Sequence, residues 1–161
     1  MDTKRFLEVM ADLEARIAKI YERFATEFHD VADVGDLWVS MGREELHHAD
    51  HLSLAASAAT PDPVAAAMAE HVMSLETVVA QHEREVAHAV PLQEALQVTV
   101  ELEEAEAAHL HAPLSAMSGW AGRLAQDPVM QHRQHHLLEH AVGLFGTPAV
   151  QARLAGQLVR A

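Results

Sequence analysis

The sequence predicts an all-α protein, a bundle of four helices that forms a single domain over residues 1–161, and three observations support this prediction. Apolar residues recur three and four positions apart along most of the chain, which is the spacing of one helix face. Hydrophobic residues make up 50% of the chain but aromatic residues only 4%, a balance that suits close-packed helices better than sheets. The alternation of apolar and polar residues that marks a strand is nearly absent.

The first predicted helix covers residues 2–28. Its apolar stripe consists of Leu7, Met10, Ile17, Tyr21 and Phe28. Glu14 stands in the middle of this stripe, four residues after Met10 and three before Ile17. A glutamate at the edge of such a stripe can reach water, but one in its centre points toward the interior. Glu14 is therefore a candidate buried acid.

The second predicted helix runs to about residue 59 after a connection over residues 29–35, and either of two aspartates can supply its N-cap: Asp33 or Asp36. Glu45 and His48 are three residues apart near its centre, and Met41 and Leu52 flank them four positions away on the same face. This face should be apolar, yet two groups that bind metals interrupt it. The pair indicates a metal site inside the bundle.

Residues 60–63, Thr-Pro-Asp-Pro, end the second helix and begin a helical segment over about residues 64–89. We interpret this segment as a long crossover between the second and third bundle helices, because no acid interrupts its apolar stripe. Its histidines are expected to be exposed: His71, His82 and His88.

The third bundle helix is predicted over residues 92–117, where Glu103 and Glu106 interrupt the apolar stripe and Pro113 should kink or end the helix. A fourth helix is predicted over residues 128–145. It carries five residues that could bind a metal, or could form an exposed polar face: His132, His135, His136, Glu139 and His140. A short C-terminal helix follows, with apolar residues on one side: Val150, Leu154 and Leu158.

The charge of the chain excludes one class of partner. Lys and Arg number 11 against 24 Asp and Glu, a formal net charge of −13, which repels nucleic acid and attracts cations. The chain has no cysteine, so thiolate metal sites and disulfides are excluded. The charged amphipathic start of the chain predicts neither a signal peptide nor a membrane span, and a cytoplasmic location is expected.

Three predicted helices thus each place an acid within an apolar stripe. Burying several ionised carboxylates without a counter-charge costs on the order of several kcal/mol each, so such groups are protonated, exposed or neutralised by a cation. Two divalent ions would neutralise four carboxylates. Mixed oxygen and imidazole ligands suit iron or manganese, and zinc is an alternative.

Three segments resemble the rubrerythrin-like branch of the ferritin-like proteins, in order over roughly residues 5–145. They are residues 13–21, LEARIAKIY; residues 44–49, EELHHA; and residues 102–106, LEEAE. The resemblance implies a ferritin-like four-helix bundle that holds two metal ions, with iron favoured. The ligands it implies are Glu14, Glu45, His48, Glu103 and Glu106.

The fourth helix departs from the family pattern, which expects a second glutamate and histidine pair there. We predict that His132 and His136 complete the site, with His135, Glu139 and His140 as alternatives. By the same resemblance, Glu106 would move on and off one metal. Tyr21 would donate a hydrogen bond to a ligand or carry a radical.

The function that the resemblance implies is a cytoplasmic di-iron oxidoreductase that reduces hydrogen peroxide or dioxygen, and we expect a homodimer. Full rubrerythrins carry a cysteine-ligated iron domain that delivers electrons, whereas this chain without cysteine would need an external electron donor. A protein that binds or buffers iron without turnover is the main alternative. Two others are a hemerythrin-like oxygen binder, suggested by His135 and Glu139, and a metal-free helical interaction protein.

Overall fold

The computed structural model describes residues 1–31, 34–117 and 122–123, and all regular secondary structure within these ranges is helical. The predicted all-α class is therefore confirmed. The elements, in order, are α1 (Thr3–Glu27), α2 (Val34–Ser57), a 3₁₀ helix (Pro63–Met68), α3 (Ala69–Glu85), α4 (Leu92–Glu106), a π segment (Ala107–His111) and α5 (Ala112–Ala116). The predicted fourth bundle helix and C-terminal helix lie outside the described residues.

No helix in this described part of the chain combines the length and the apolarity needed to cross a membrane.

Helices α1 and α2 form the most extensive packed pair and bury the largest side chains of the core. Asp2 caps α1 by accepting a hydrogen bond from the Arg5 backbone N–H at 2.8 Å. Gly42 lies where the two helices approach closely, because a Cβ there would lie 3.4 Å from the Ala18 carbonyl oxygen. Gly42 therefore marks a point where the helices that carry Glu14 and Glu45 pack closely.

Helix α3 packs against α1 and also contacts α4 and the π segment. Its N-terminal 3₁₀ turn begins at Pro63, and the Asp62 carboxylate accepts from the Val64 N–H at 2.9 Å. Arg16 fixes α3 on α1 by donating to both carboxylate oxygens of Glu83, at 2.9 and 2.7 Å. This bidentate geometry raises the pKa of Arg16 and lowers the pKa of Glu83, because each charge stabilises the other.

The prediction that the α3 histidines are exposed is wrong for His82, which is 2% exposed. Its ring nitrogens lie 2.7 Å from Glu85 Oε2 and 3.3 Å from Glu101 Oε2, so it connects α3 to α4. His82 lies three residues after Val79 and four before Val86, both buried, and therefore belongs to the inward stripe. His88 is exposed as predicted, and His71 is half-buried.

The predicted third helix is interrupted before its end. Helix α4 ends at Glu106, the π segment takes up residues Ala107–His111, and α5 begins one residue before Pro113. Proline has no N–H to donate to the carbonyl four residues earlier, and its ring crowds that carbonyl. The wider π turn accommodates both effects, which is the physical reason why the interruption precedes the proline.

A buried hydrogen bond connects α2 to α4. Trp38 Nε1 donates to Thr99 Oγ1 at 3.0 Å, and that hydroxyl donates in turn to the Ala95 carbonyl at 2.8 Å. Both side chains are fully buried. This connection holds the helix that carries Glu103 and Glu106 against the helix that carries Glu45.

We expect Thr99→Val to lower the free energy of unfolding by about 1–3 kcal/mol, because it leaves the buried indole N–H of Trp38 without an acceptor. Urea unfolding of the metal-free protein measures this change. Thr77→Val in α3 is the matched control, since the exposed Thr77 hydroxyl donates to the Met73 carbonyl in the same way. Its effect should stay within about 0.5 kcal/mol. Equal effects of the two substitutions would contradict a structural role for the Trp38–Thr99 bond.

Candidate metal centre

Five of the predicted ligands come together between three helices. Glu14 comes from α1, Glu45 and His48 from α2, and Glu103 and Glu106 from α4. Glu14 and Glu45 are 0% exposed and His48 and Glu106 are 1% exposed, while Glu103 is partly exposed. The three inward faces predicted from apolar spacing therefore meet at one place.

The local sequence explains why these polar groups point inward. Met10 and Ile17 flank Glu14 on α1, and all three are fully buried. On α2, Met41 and Leu52 are also fully buried on either side of Glu45 and His48. Because the flanking apolar side chains drive each helix face into the core, the acids between them must enter it too.

The five residues divide into two groups that share one carboxylate. Glu14, Glu45 and His48 offer ligand atoms that all lie within 4.8 Å of one another. Glu45, Glu103 and Glu106 do the same. Each group could hold a metal ion, and Glu45 belongs to both groups.

His48 is oriented toward the first group. Its Nδ1 lies 3.0 Å from Glu45 Oε2 and 3.3 Å from Glu14 Oε2, so the nitrogen faces both carboxylates. In the second group, the Tyr21 hydroxyl donates to Glu103 Oε1 at 2.9 Å. Tyr21 is fully buried and holds this carboxylate in a fixed orientation.

A cation fits the buried carboxylate oxygens. Among the described residues, Glu14 Oε1 and both carboxylate oxygens of Glu106 are buried without a hydrogen-bond partner. An unsatisfied buried carboxylate is costly, whereas coordination of a metal ion supplies the missing partner. The donor set of four carboxylates and one imidazole suits iron or manganese.

The carboxyl groups raise one another's pKa values. Burial is the largest cause for Glu14 and Glu106, whose pKa values lie well above the ordinary 4.5, and the charge of Glu45 is the next. The pKa of Glu103 rises to about 8 from burial and the charge of Glu45, although the hydrogen bond from Tyr21 opposes this rise. Burial and the charge of Glu103 also raise the pKa of the Tyr21 hydroxyl. Without a cation, the site therefore holds protons at neutral pH.

Sequence reasoning missed His111, which faces the site from the end of the π segment. Its ring is edge-on to the His48 ring, with the two centroids 6.3 Å apart. Burial, followed by the charge of His48, lowers the pKa of His111 to about 4. A neutral imidazole beside the carboxylates can coordinate or accept a proton without first losing one. In a regular α-helix, residue 111 would lie on a different face from Glu103 and Glu106. Pro113 was the one sequence signal that the helix is irregular here.

Five further predicted ligands or alternatives come from the predicted fourth helix. His132, His135, His136, Glu139 and His140 lie outside the described residues. On α2, His47 is exposed and His51 is half-exposed, so neither lies with the buried acids.

Comparison with known proteins returned no match to a family model, to a curated protein or to a solved structure. The site must therefore be interpreted from its own geometry.

We expect the free energy of unfolding of the metal-free protein to fall as pH rises from about 7 to 8.5. The folded chain holds a proton on Glu103 until the pH passes its pKa of about 8, whereas the unfolded chain has already lost that proton near pH 4.5. Stability falls with pH wherever the folded state binds more protons. His111 acts in the opposite direction, but only between about 4 and its ordinary 6.5.

Urea unfolding in the presence of a chelator, at half-unit pH steps, measures this slope. Glu103→Gln should reduce it, because Glu14 and Glu106 still carry raised pKa values, whereas Glu22→Gln on the exposed face of α1 should leave it unchanged. Binding of a divalent metal should remove the slope and release protons, because the ligands must ionise to coordinate. A metal-free protein whose stability rises between pH 7 and 8.5 would contradict the burial of these acids.

Proposed function

We propose that this chain is a dinuclear metal protein, with two divalent ions bridged by Glu45 in the interior of a helical bundle. The observation that supports this most directly is that two separate groups of ligand atoms share this one carboxylate. Besides Glu45, the first ion would be bound by Glu14 and His48. The second ion would be bound by Glu103 and Glu106. Four ionised carboxylates balance the charge of two divalent ions.

The proposed metal is iron, and manganese or zinc would be bound by the same groups with different strength. The proposed fold is a ferritin-like four-helix bundle in which α3 belongs to the crossover. The three acid-bearing helices and the spacing of Glu45 and His48 support it. His132 and His136 are proposed to add ligands from a fourth helix. Together these features support the resemblance to the rubrerythrin-like branch.

We further propose that the centre reduces hydrogen peroxide or dioxygen. A bound pair of ferrous ions would supply two electrons, the number that one peroxide molecule accepts on conversion to water. The chain's own residues contribute a buried setting, a Glu103 carboxylate that accepts a hydrogen bond from Tyr21, and an imidazole on His111 whose pKa of about 4 keeps it neutral beside the acids. Glu106 is the carboxylate proposed to change its position, and both of its oxygens lack a hydrogen-bond partner among the described residues.

Turnover would require an external electron donor, because the chain has no cysteine with which to bind an iron centre of its own. The same observation favours a second candidate function, in which the bundle binds or buffers iron without catalysis. Both functions use the same ligands. They differ in whether the bound metal reacts with an oxidant.

The first test is metal stoichiometry. We expect about two ions per chain in the parent protein after anaerobic loading with ferrous iron. Glu45→Ala should abolish binding of both, because it removes the shared ligand, whereas Glu14→Ala should weaken chiefly the first ion. Elemental analysis and anaerobic iron titration measure these numbers.

Glu22→Ala, an exposed acid on α1, is the matched control and should bind iron as the parent does. Far-UV circular dichroism should show that all three variants remain helical, since the apolar stripes still pack. The metal-free Glu45→Ala protein can even be more stable, because a buried charge is lost. Parent protein that takes up no iron would refute both candidate functions, and unchanged binding by Glu45→Ala would refute the bridge.

The second test separates the two candidate functions. Anaerobic diferrous protein given one equivalent of hydrogen peroxide should oxidise both irons, and faster than it reacts with dioxygen, if it is a peroxidase. Stopped-flow absorbance follows the ferric product. Ferrous protein that reacts with peroxide no faster than free ferrous iron would favour buffering over catalysis.

A further inference from the structure

A second pair of metal-binding side chains faces each other away from the carboxylate site. His71 of α3 and His109 of the π segment place their Nδ1 atoms 3.3 Å apart, with ring centroids separated by 5.6 Å and ring planes inclined by 52°. Both residues are half-buried, so solvent reaches the pair. The two nitrogens come from elements that are 38 residues apart in sequence and pack against each other.

The pair is unfavourable when both rings are charged. Burial, followed by the charge of His71, lowers the pKa of His109. Two neutral imidazoles at this distance can give their facing Nδ1 atoms a partner in two ways. One ring can donate an N–H to the other, or both can direct lone pairs at a shared cation.

The distance between the two Nδ1 atoms is compatible with a cation bound by both. Two nitrogens each about 2.0–2.1 Å from a tetrahedral zinc ion lie about 3.3–3.4 Å apart. The observed 3.3 Å falls at this value, so the spacing of the two nitrogens accommodates a shared metal ion. The net charge of −13 raises the local concentration of cations around the chain.

We propose that His71 and His109 form a second metal site, selective for borderline divalent ions such as Zn²⁺, with water in the remaining coordination positions. Both protein ligands are imidazoles, which suit zinc, copper or nickel and disfavour magnesium and calcium. The site is distinct from the carboxylate centre in position and in ligand type. Its existence does not depend on the proposed redox function.

Occupancy of this site would fix the π segment against α3. His109 lies two residues before His111, which faces the carboxylate centre, so the segment would carry one histidine toward each site. A metal that binds only the folded arrangement stabilises it. Zinc should therefore raise the melting temperature of the full chain.

The test is a zinc titration of the full-length, ¹⁵N-labelled protein, followed by long-range ¹H–¹⁵N spectra that resolve individual imidazoles. We expect the Nδ1 signals of His71 and His109 to shift together and to saturate at about one equivalent of zinc beyond any taken up by the carboxylate centre. If these two residues stay unchanged while zinc perturbs other histidines, the proposal is overturned.

Two variants provide an independent measurement. His71→Ala and His109→Ala should each weaken this zinc-binding step at least about tenfold, a loss in the range seen even when supporting residues of metal sites are removed. Each should also reduce the zinc-dependent rise in melting temperature. His88→Ala, which removes an exposed histidine close after α3, should do neither.

The outcomes distinguish this site from the carboxylate centre. Loss of zinc binding in His109→Ala, with two ferrous ions still bound, supports the proposal. Loss of iron in Glu45→Ala without any change in the His71 and His109 signals leaves it intact. Retention of this zinc step by both histidine variants would refute it, and the pair would then be an imidazole–imidazole hydrogen bond.

Discussion

The burial of four carboxylates against one another is the constraint on which the rest of the structure depends. Burial and the charge of Glu45 raise the pKa values of Glu14, Glu103 and Glu106. Oxygens of Glu14 and Glu106 have no hydrogen-bond partner among the described residues. An apolar core would tolerate such a cluster only with bound protons or bound cations. The fold keeps the acids in the core despite this cost, because each lies within a stripe of buried apolar residues. A site that is unfavourable when empty and ionised is well suited to bind divalent metal.

Other interactions hold the three acid-bearing helices in position around this cluster. Helices α1 and α2 pack closely at Gly42, the bond between Trp38 and Thr99 joins α2 to α4, and the pair of Arg16 with Glu83 joins α3 to α1. These contacts lie outside the carboxylate cluster. They can therefore keep the helices in register whether or not a metal is bound, which is what a preorganised site requires.

The π segment places two histidines in different surroundings. The lost backbone donor at Pro113 is accommodated by a wider turn, and that turn presents His109 toward α3 and His111 toward the acids. One irregular turn thus lies between two groups of potential ligands.

The sequence by itself determined the helical class, the inward faces of three helices and the five residues that meet at their centre, because apolar spacing reports which side of a helix is buried. It also suggested an interruption near Pro113. Only the tertiary structure decided that Glu45 is shared by two groups, that His82 is buried between Glu85 and Glu101, and that His71 meets His109. Helical periodicity describes each helix alone, whereas these contacts depend on distances and rotations between helices. The position of His111 was also decided only by the tertiary structure. Its side chain faces the acids because of a π turn, which a sequence pattern with a period of 3.6 residues does not predict.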